Sequence, residues 1–311
     1  MVVSSSKTGS VLDFVIACLQ MMRPANILTA WADILLGYAI SGAALVSLST
    51  SFSFATAAPL GWLLLATSGL YGGGVVFNDV FDAELDAEER PERPIPSGRA
   101  SMIAAITLGS SLLGIGIVAA AQVSLLSAAL AGFIAIAALS YDAIAKHSVW
   151  LGPLNMGLCR GANLLLGVSV LPIAVQTYWL LAIIPIVYIA AITMISRGEG
   201  QGGDRSAGAT AVMMLVVVTG GMFGLSYFPS YHWTQVLPFA GLFAGLVFPA
   251  FVRAAIEPTA EQIRGAVMTG IICLIVLDAA IAAGFSNWLY GLCILALLPL
   301  SKGLAKVFAV T

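Results

Sequence analysis

The sequence contains few charged residues. Asp, Glu, Lys and Arg make up 9% of its 311 residues, whereas they make up about a quarter of an average soluble domain. This deficit excludes an ordinary soluble domain. The formal net charge of −2 gives no information about partners, and nucleic acid is not expected among them.

Cysteine is also scarce. The four cysteines, Cys18, Cys159, Cys273 and Cys293, lie in apolar stretches without CxxC spacing. We interpret them as small core residues and not as a disulfide or metal-binding set. Residues 1–10 are polar and no small-residue cleavage site follows, so no cleavable signal is predicted. Instead, residues 1–25 are expected to form a cytoplasmic or interfacial segment.

Apolar residues dominate the remainder of the chain, at 60%. They form continuous runs of about 20 residues, long enough to cross a membrane as helices; a β-barrel would instead need short alternating segments. The sequence therefore predicts an all-α, polytopic bundle of nine or ten transmembrane helices in a single domain, 1–311. The predicted spans are 26–47, 55–77, 101–121, 123–140, 153–173, 177–196, 207–228, 234–256, 264–285 and a shorter tenth at 287–301.

The connections between these spans fall into two sets. Those near 48–54, 122, 174–176, 229–233 and 286 contain no Lys, Arg, Asp or Glu, and every Lys and Arg except Arg160 belongs to the other set. The positive-inside rule makes that second set cytoplasmic. We therefore expect a multi-pass protein of a bacterial cytoplasmic membrane, with both termini in the cytoplasm.

Three charged residues lie inside predicted spans: Asp33, Arg160 and Asp278. Charge at membrane depth needs a partner or a wet cavity. Asn163 follows Arg160 by about one turn and shares its helix face. These spans are expected to line a common polar pocket, with a structural ion pair between helices as the alternative.

The second predicted span runs directly into an acidic block, residues 77–99. Asn78, Asp82 and Asp86 are spaced to form one stripe on a continuing helix, and Asp79 flanks it. Like charges so placed repel unless cations neutralise them. Mg²⁺ prefers hard oxygen ligands and commonly bridges carboxylates to substrate phosphates. The stripe therefore predicts a Mg²⁺–diphosphate site, and a solvated acidic loop is the alternative.

Cationic residues follow in three further segments on the same side. Arg93 and Arg99 enclose a rigid Pro-Ile-Pro-Ser-Gly turn, in which Gly98 allows a sharp bend, and both could bind diphosphate oxygens. Lys146, after Tyr141, can act as a point charge on a phosphate. The glycine-rich connection 197–208 adds a sparser charge cluster, formed by Glu199, Asp204 and Arg205. Two acidic clusters facing one cavity could hold two metals, or one metal between them.

Together these segments resemble the UbiA superfamily of intramembrane prenyltransferases over essentially the whole chain. Asn78-Asp79-x-x-Asp82-x-x-x-Asp86 fits the first aspartate-rich motif of that family, and RPIPSGR after it is family-like. Arg23-Pro24-x-Asn26 resembles the opening motif. Tyr141 and Lys146 resemble the tyrosine–lysine pair, and Gly203-Asp204-Arg205-x-x-Gly208 resembles the end of the second motif.

The resemblance implies a helical bundle around a central cavity open to the cytoplasm, and Mg²⁺-dependent transfer of an isoprenoid from its diphosphate to a lipophilic or aromatic acceptor. The implied catalytic residues are Asp79, Asp82, Lys146 and Asp204. The implied metal ligands are Asn78, Asp79, Asp82, Asp86, Glu199 and Asp204. The implied substrate-binding residues are Asn26, Asp33, Asn78, Arg93, Arg99, Tyr141, Arg160, Asn163 and Arg205.

One position departs from the family pattern. The second motif usually begins with an aspartate four residues before its last one, and Gly200 stands there; the neighbouring Glu199 could substitute. The chain is therefore expected to be a divergent member with an unassigned acceptor. Relatives that transfer phosphoribose or cyclise terpenes give an alternative chemistry on the same fold. A lipid carrier is an alternative from another class, although it leaves the acidic block unexplained.

Overall fold

A computed structural model of the chain describes residues 11–45, 54–200 and 202–308. Most of the predicted connection at 48–54 and the first ten residues of the N-terminal segment lie outside these ranges. The described part is all-helical and contains no strand, which confirms the predicted fold class. The α-helices are α1 Val11–Met22, α2 Pro24–Ile40, α3 Phe54–Phe81, α4 Ala83–Glu89, α5 Met102–Ala121, α6 Leu125–Ala143, α7 Leu151–Val168, α8 Pro172–Tyr178, α9 Ile183–Ser196, α10 Arg205–Gly224, α11 Trp233–Ile256, α12 Ala260–Phe285, α13 Trp288–Leu295 and α14 Leu297–Val307.

In the described ranges, eight helical segments are long and apolar enough to cross a membrane, or nine if α1 and α2 count as one bent span. They include the last predicted span, which is longer than expected because α13 and α14 continue to Val307. α7 is not among the eight, since it carries Asn155, Arg160 and Asn163, but it packs inside the bundle against α2, α6 and α9. The protein is thus an integral, multi-pass membrane protein.

Hydroxyl and amide side chains at the helix starts accept bonds from backbone N–H groups that have no partner within the helix. Ser101 accepts from the N–H of Ala104 and Ser124 from that of Ser127. Asn287 does the same for Tyr290. These caps fix where α5, α6 and α13 begin, which is information that hydrophobicity alone does not give.

Helices α2 and α7 approach each other very closely. A Cβ on Gly37 would lie 2.5 Å from the Leu164 carbonyl oxygen, and one on Gly167 would lie 2.6 Å from that of Ile34. A side chain at either position would push the backbones apart. The two glycines therefore bring the polar residues of α2 and α7 within reach of each other.

The charged connections meet at one end of the bundle. Arg197, after α9, donates to the carbonyl oxygen of Ser148 between α6 and α7, and the Gly203 N–H donates to that of Pro258 at 2.9 Å. At the opposite end, the His232 N–H donates to the Gly284 carbonyl oxygen at 2.8 Å. We name these the charged end and the uncharged end.

Candidate active site

A cavity of about 320 Å³ lies among α2, α3, α6 and α7 and reaches the charged end. Its walls include Leu70, Val75, Ile134 and Met156, so most of its surface is apolar. Polar groups occur at its mouth and at its floor. They are Arg23, Asn26, Thr67, Tyr71, Asn78, Tyr141, Asp142, Arg160 and Asn163.

The acidic stripe lies at the mouth of this cavity. Helix α3 extends four residues beyond the predicted span and carries Asn78 and Asp79 out of it. The helical hydrogen bonding continues through the short break at Asp82, because its N–H bonds to Asn78 and its carbonyl oxygen accepts from Asp86. The predicted spacing is therefore kept, and the carboxylates form one acidic face.

Cations of the same chain neutralise that face. Arg23 donates to Asp79 Oδ1 at 2.9 Å, and Arg93 lies 2.7 Å from Asp86 Oδ2 and 3.5 Å from Asp79 Oδ1. Lys146 pairs with Asp82 Oδ1. Each carboxylate of the face is thus in an ion pair, which offsets the repulsion expected for a stripe of like charges.

Arg93 and Arg99 have different surroundings. The turn between them closes with Gly98 at φ 75°, in the left-handed region that favours glycine, as its position in the turn predicted. Arg93 faces the acids, whereas Arg99 donates to Gln20 Oε1 on α1 at 2.6 Å and to the Glu92 carbonyl oxygen at 2.7 Å. The structure places Arg99 away from the cavity, where it ties α1 to this loop.

Arg23 has a larger role than its motif alone indicated. It joins α1 to α2, which meet at 44°, and its φ of 49° is in a region that L-residues rarely adopt. The bend directs its guanidinium to Asp79 and into the cavity mouth. The Arg-Pro pair after an amphipathic segment was the sequence signal for this bend, because proline restricts the residue before it.

Asp142 was not among the predicted site residues. Its carboxylate, on the last turn of α6, is 3% exposed and accepts from Asn78 Nδ2 at 2.9 Å. The same nitrogen lies 3.1 Å from Asp82 Oδ2. An acid at the end of an apolar span, next to Tyr141, was the signal that could have identified it.

The floor of the cavity is a buried polar cluster. Arg160 on α7 donates to Asp33 Oδ2 at 2.9 Å and to Thr29 Oγ1 at 2.6 Å, and it lies 5.3 Å from the centre of the Tyr71 ring. Asn163 donates to the same Asp33 oxygen at 2.8 Å. The structure joins Asp33 and Arg160 in an interhelical ion pair and places Asp278 beside Asp33. Arg160 and Asn163 also line the cavity.

The glycine-rich connection lies at the charged end. Glu199 is partly buried, and this burial raises the pKa of its carboxyl, although Arg90 and Arg264 act in the opposite direction. Asp204 is exposed and caps α10 by accepting from the backbone N–H and the hydroxyl of Ser206. These bonds lower the pKa of Asp204. Arg205 is exposed beside it.

The donor set at the mouth suits a magnesium ion. Within the described ranges, no three His, Cys, Asp or Glu side chains already stand at metal-binding distances. Asn78, Asp82 and Asp142 nevertheless converge from two helices, and a half-turn of the Asn78 amide would give three hard oxygens, the ligand type that Mg²⁺ prefers. The residues present therefore fit this ion.

Comparison with known proteins identifies the family. The chain matches the UbiA prenyltransferase family over residues 34–264. It is 33% identical to a digeranylgeranylglyceryl phosphate synthase of Methanothrix thermoacetophila over 192 residues, covering 61% of this chain and 68% of that protein. A synthase of the same name from Methanosarcina mazei is 28% identical over 202 residues, which are 64% of this chain and 70% of that one.

The fold is also similar to that of a solved structure. The apo structure of a UbiA homologue from Aeropyrum pernix K1 superposes with a TM-score of 0.65 at 17% identity, over 82% of this chain and 96% of that one. The chain thus combines a helical bundle with an acidic face at a cavity mouth. The family match covers most of its length. This membrane protein belongs to the UbiA prenyltransferase family.

Proposed function

We propose that the protein transfers a prenyl group from a prenyl diphosphate to a lipophilic or aromatic acceptor, with Mg²⁺ at the cavity mouth. The observation that supports this most directly is the set of ion pairs of Asp79, Asp82 and Asp86 at the entrance to an apolar cavity. Diphosphate is anionic and the prenyl chain is apolar. The site offers cations to the diphosphate and an apolar cavity to the prenyl chain.

The ion pairs suggest how the chain accommodates the substrate. Arg93 and Lys146 now neutralise carboxylates of the acidic face. When a diphosphate and its metal bind, these cations can turn to phosphate oxygens while the carboxylates turn to the metal, so that every charge keeps an opposite partner. The residues proposed to hold the ion are Asn78, Asp79, Asp82 and Asp86, with Glu199 and Asp204 from the connection 197–208.

The same cations act on the leaving group. As the C–O bond to the diphosphate breaks, negative charge grows on its oxygens, and donors already in place stabilise that charge without reorganisation. Lys146 and Arg93 are bonded to the acidic face, and Arg205 lies on the connection 197–208 at the charged end. Bound Mg²⁺ adds charge neutralisation of the same kind. The apolar walls around Leu70 and Ile134 exclude water from the prenyl cation.

The acceptor is proposed to enter the same cavity. Asn26 and Tyr141 line it near the mouth, while Arg160 and Asn163, held by Asp33, form its polar floor. The two relatives named above are digeranylgeranylglyceryl phosphate synthases. A prenylated glyceryl phosphate is therefore the first acceptor to test, together with aromatic acceptors.

The test uses the purified full chain in detergent, incubated with Mg²⁺, a series of prenyl diphosphates and the acceptor panel. Diphosphate release and product mass are measured. We expect release that depends on Mg²⁺ and on an acceptor, with a product whose mass is that of the acceptor plus the prenyl group minus the one hydrogen that the prenyl group replaces. A cyclised hydrocarbon, or release without an acceptor product, would contradict transfer. Absence of release with every prenyl diphosphate would contradict the proposed chemistry altogether.

A further inference from the structure

Asp142 is the one acid of the cavity that lacks an ion pair within the described part of the chain. Asp79, Asp82 and Asp86 each have a cationic partner within 4 Å. Asp142 is nearly fully buried at 3% exposure, yet its carboxylate has a single hydrogen bond to the described residues, from the neutral amide of Asn78. It also lines the cavity.

The surrounding charges do not balance. Four acids surround the mouth, and the cations paired there are Arg23, Arg93 and Lys146, all three already bound to other carboxylates. A buried carboxylate is costly without a cation or several hydrogen bonds, and one amide donor offsets little of that cost. Asp142 is the acid of this set without a cation at ion-pair distance, although Lys146 and Arg23 attract it from farther away, so the position favours a further cation.

The position of Asp142 indicates which cation. The Asn78 amide nitrogen lies 2.9 Å from an Asp142 oxygen and 3.1 Å from an Asp82 oxygen. Both carboxylates thus face one small volume, with an amide that can present its own oxygen. Three hard oxygens from α3, α6 and the segment between α3 and α4 form an incomplete octahedral set, which waters and phosphate oxygens usually complete around Mg²⁺.

The connection 197–208 offers few carboxylates to the same site. Gly200 occupies the place of an acid in the second aspartate motif, and Asp204 in the same connection is exposed and bonded to Ser206. The connection therefore supplies fewer carboxylates than the motif requires. Asp142 adds one from another helix, on the side of the cavity where Asn78 and Asp82 already stand.

We propose that Asp142 is an oxygen ligand of the Mg²⁺–diphosphate site, together with Asn78 and Asp82. This inference rests on the proposed function. It extends that function by assigning a metal ligand to α6, next to Tyr141. Neither of the two aspartate motifs lies on that helix.

The experiment measures metal binding directly, with Mn²⁺ as the probe. Free Mn²⁺ is quantified by electron paramagnetic resonance during titration of the full chain in detergent, with and without farnesyl thiodiphosphate, a poorly reactive prenyl diphosphate analogue. The variant Asp142→Asn keeps an acceptor for Asn78 but removes the charge. Glu88→Gln, an exposed acid on α4, is the matched control.

We expect Asp142→Asn to weaken Mn²⁺ binding by about tenfold or more, the scale of losses at metal sites, while Glu88→Gln binds as the wild type does. An Asp142→Asn affinity within about twofold of wild type would overturn the assignment. If the wild type bound no Mn²⁺ even with the analogue, the proposed function itself would fail. If Asp82→Asn lost binding and Asp142→Asn did not, this inference alone would fail.

A second variant separates ligation from folding. Asp142→Cys offers a soft thiolate in place of a hard carboxylate, and soft ligands favour Cd²⁺ over Mn²⁺. We expect this variant to lose Mn²⁺ binding and to retain Cd²⁺ binding, a change of preference that a purely structural role would not produce. An unchanged preference between the two metals would overturn the proposal.

Discussion

Arg160 and Asp33 form an ion pair of 2.9 Å between α7 and α2, in the interior of the bundle. Asp278 on α12 lies beside the same carboxylate as its side-chain partner. Asp33 Oδ1 and Asp278 Oδ2 are both buried and accept no hydrogen bond from the described residues. Two carboxyl groups thus lie in one buried cluster, and the ion pair of that cluster joins Arg160 to Asp33.

This arrangement predicts unequal effects for two similar substitutions. Asp33→Asn removes the charge that neutralises Arg160, and breaking a buried pair costs about 3–5 kcal/mol. Asp278→Asn should be mild, because an amide resembles a protonated carboxyl in shape and supplies a donor to Asp33. Thermal unfolding in detergent checks this. Equal destabilisation by both substitutions would show that Asp278 carries the charge as much as Asp33 does.

The convergence of these residues could be predicted from the sequence because hydrocarbon leaves so few alternatives. Asp33, Arg160 and Asp278 each interrupt an apolar run, and a charge in lipid must find a partner. The helical fold could also be predicted, because the apolar runs are long enough to cross a membrane as helices. What the sequence did not reveal was the close contact of Gly37 with α7, which decides which two spans meet.

The mouth of the cavity was harder to predict in detail. The i, i+4 spacing of Asn78 and Asp82 fixed one face of a helix, but a contact between α3 and α6 depends on tertiary packing that no local pattern encodes. Asp142 was missed for that reason. The rigid turn was expected to hold both Arg93 and Arg99 near the acids, whereas in the structure Arg93 faces Asp86 and Arg99 bonds to Gln20.

The distribution of charge predicts the orientation of the protein. We propose that the charged end is cytoplasmic. In a background without native cysteines, Thr50→Cys and Ser230→Cys should react with an impermeant thiol reagent added outside intact cells. Glu88→Cys and Arg205→Cys should react only after lysis. Labelling of Glu88→Cys from outside would reverse the orientation and separate the site from cytosolic prenyl diphosphates.

Asp82 lies at the centre of the acidic face, bonded to both Lys146 and Asn78. Asp82→Asn keeps the size of the side chain but removes one negative charge. We expect diphosphate release to fall by orders of magnitude, because a charge that binds the metal is lost, while membrane insertion and elution in size-exclusion chromatography stay normal. Activity near that of wild type would remove Asp82 from the proposed metal ligands.

Asp204 has two possible roles that matched variants separate. Its carboxylate caps α10 through Ser206, and serine is also a good N-cap residue. Asp204→Ser should therefore keep the thermal stability of the wild type, whereas Asp204→Ala should lower it. If the carboxylate also serves the metal, both variants lose most of their diphosphate release. An active Asp204→Ser protein would restrict Asp204 to capping.

Glu199 allows a prediction about pH. Burial raises the pKa of its carboxyl above the ordinary value for glutamate, against the influence of Arg90 and Arg264. The folded chain therefore holds this proton more tightly than the unfolded chain. Ionised Glu199 lowers stability once the pH exceeds the unfolded pKa, and the loss grows until the pH passes the folded pKa.

Glu199→Gln removes that cost. Its melting temperature should equal that of the wild type near pH 4, where the carboxyl of Glu199 is largely protonated in both the folded and the unfolded chain (free glutamate has a pKa of about 4.3). At pH 7 its melting temperature should exceed that of the wild type. Diphosphate release should fall only moderately, because Glu199 lies one position away from the missing acid. A variant that melts lower than wild type at pH 7 would mean that the attraction of Arg90 and Arg264 outweighs burial, and Glu199 would then be a structural anchor for the connection.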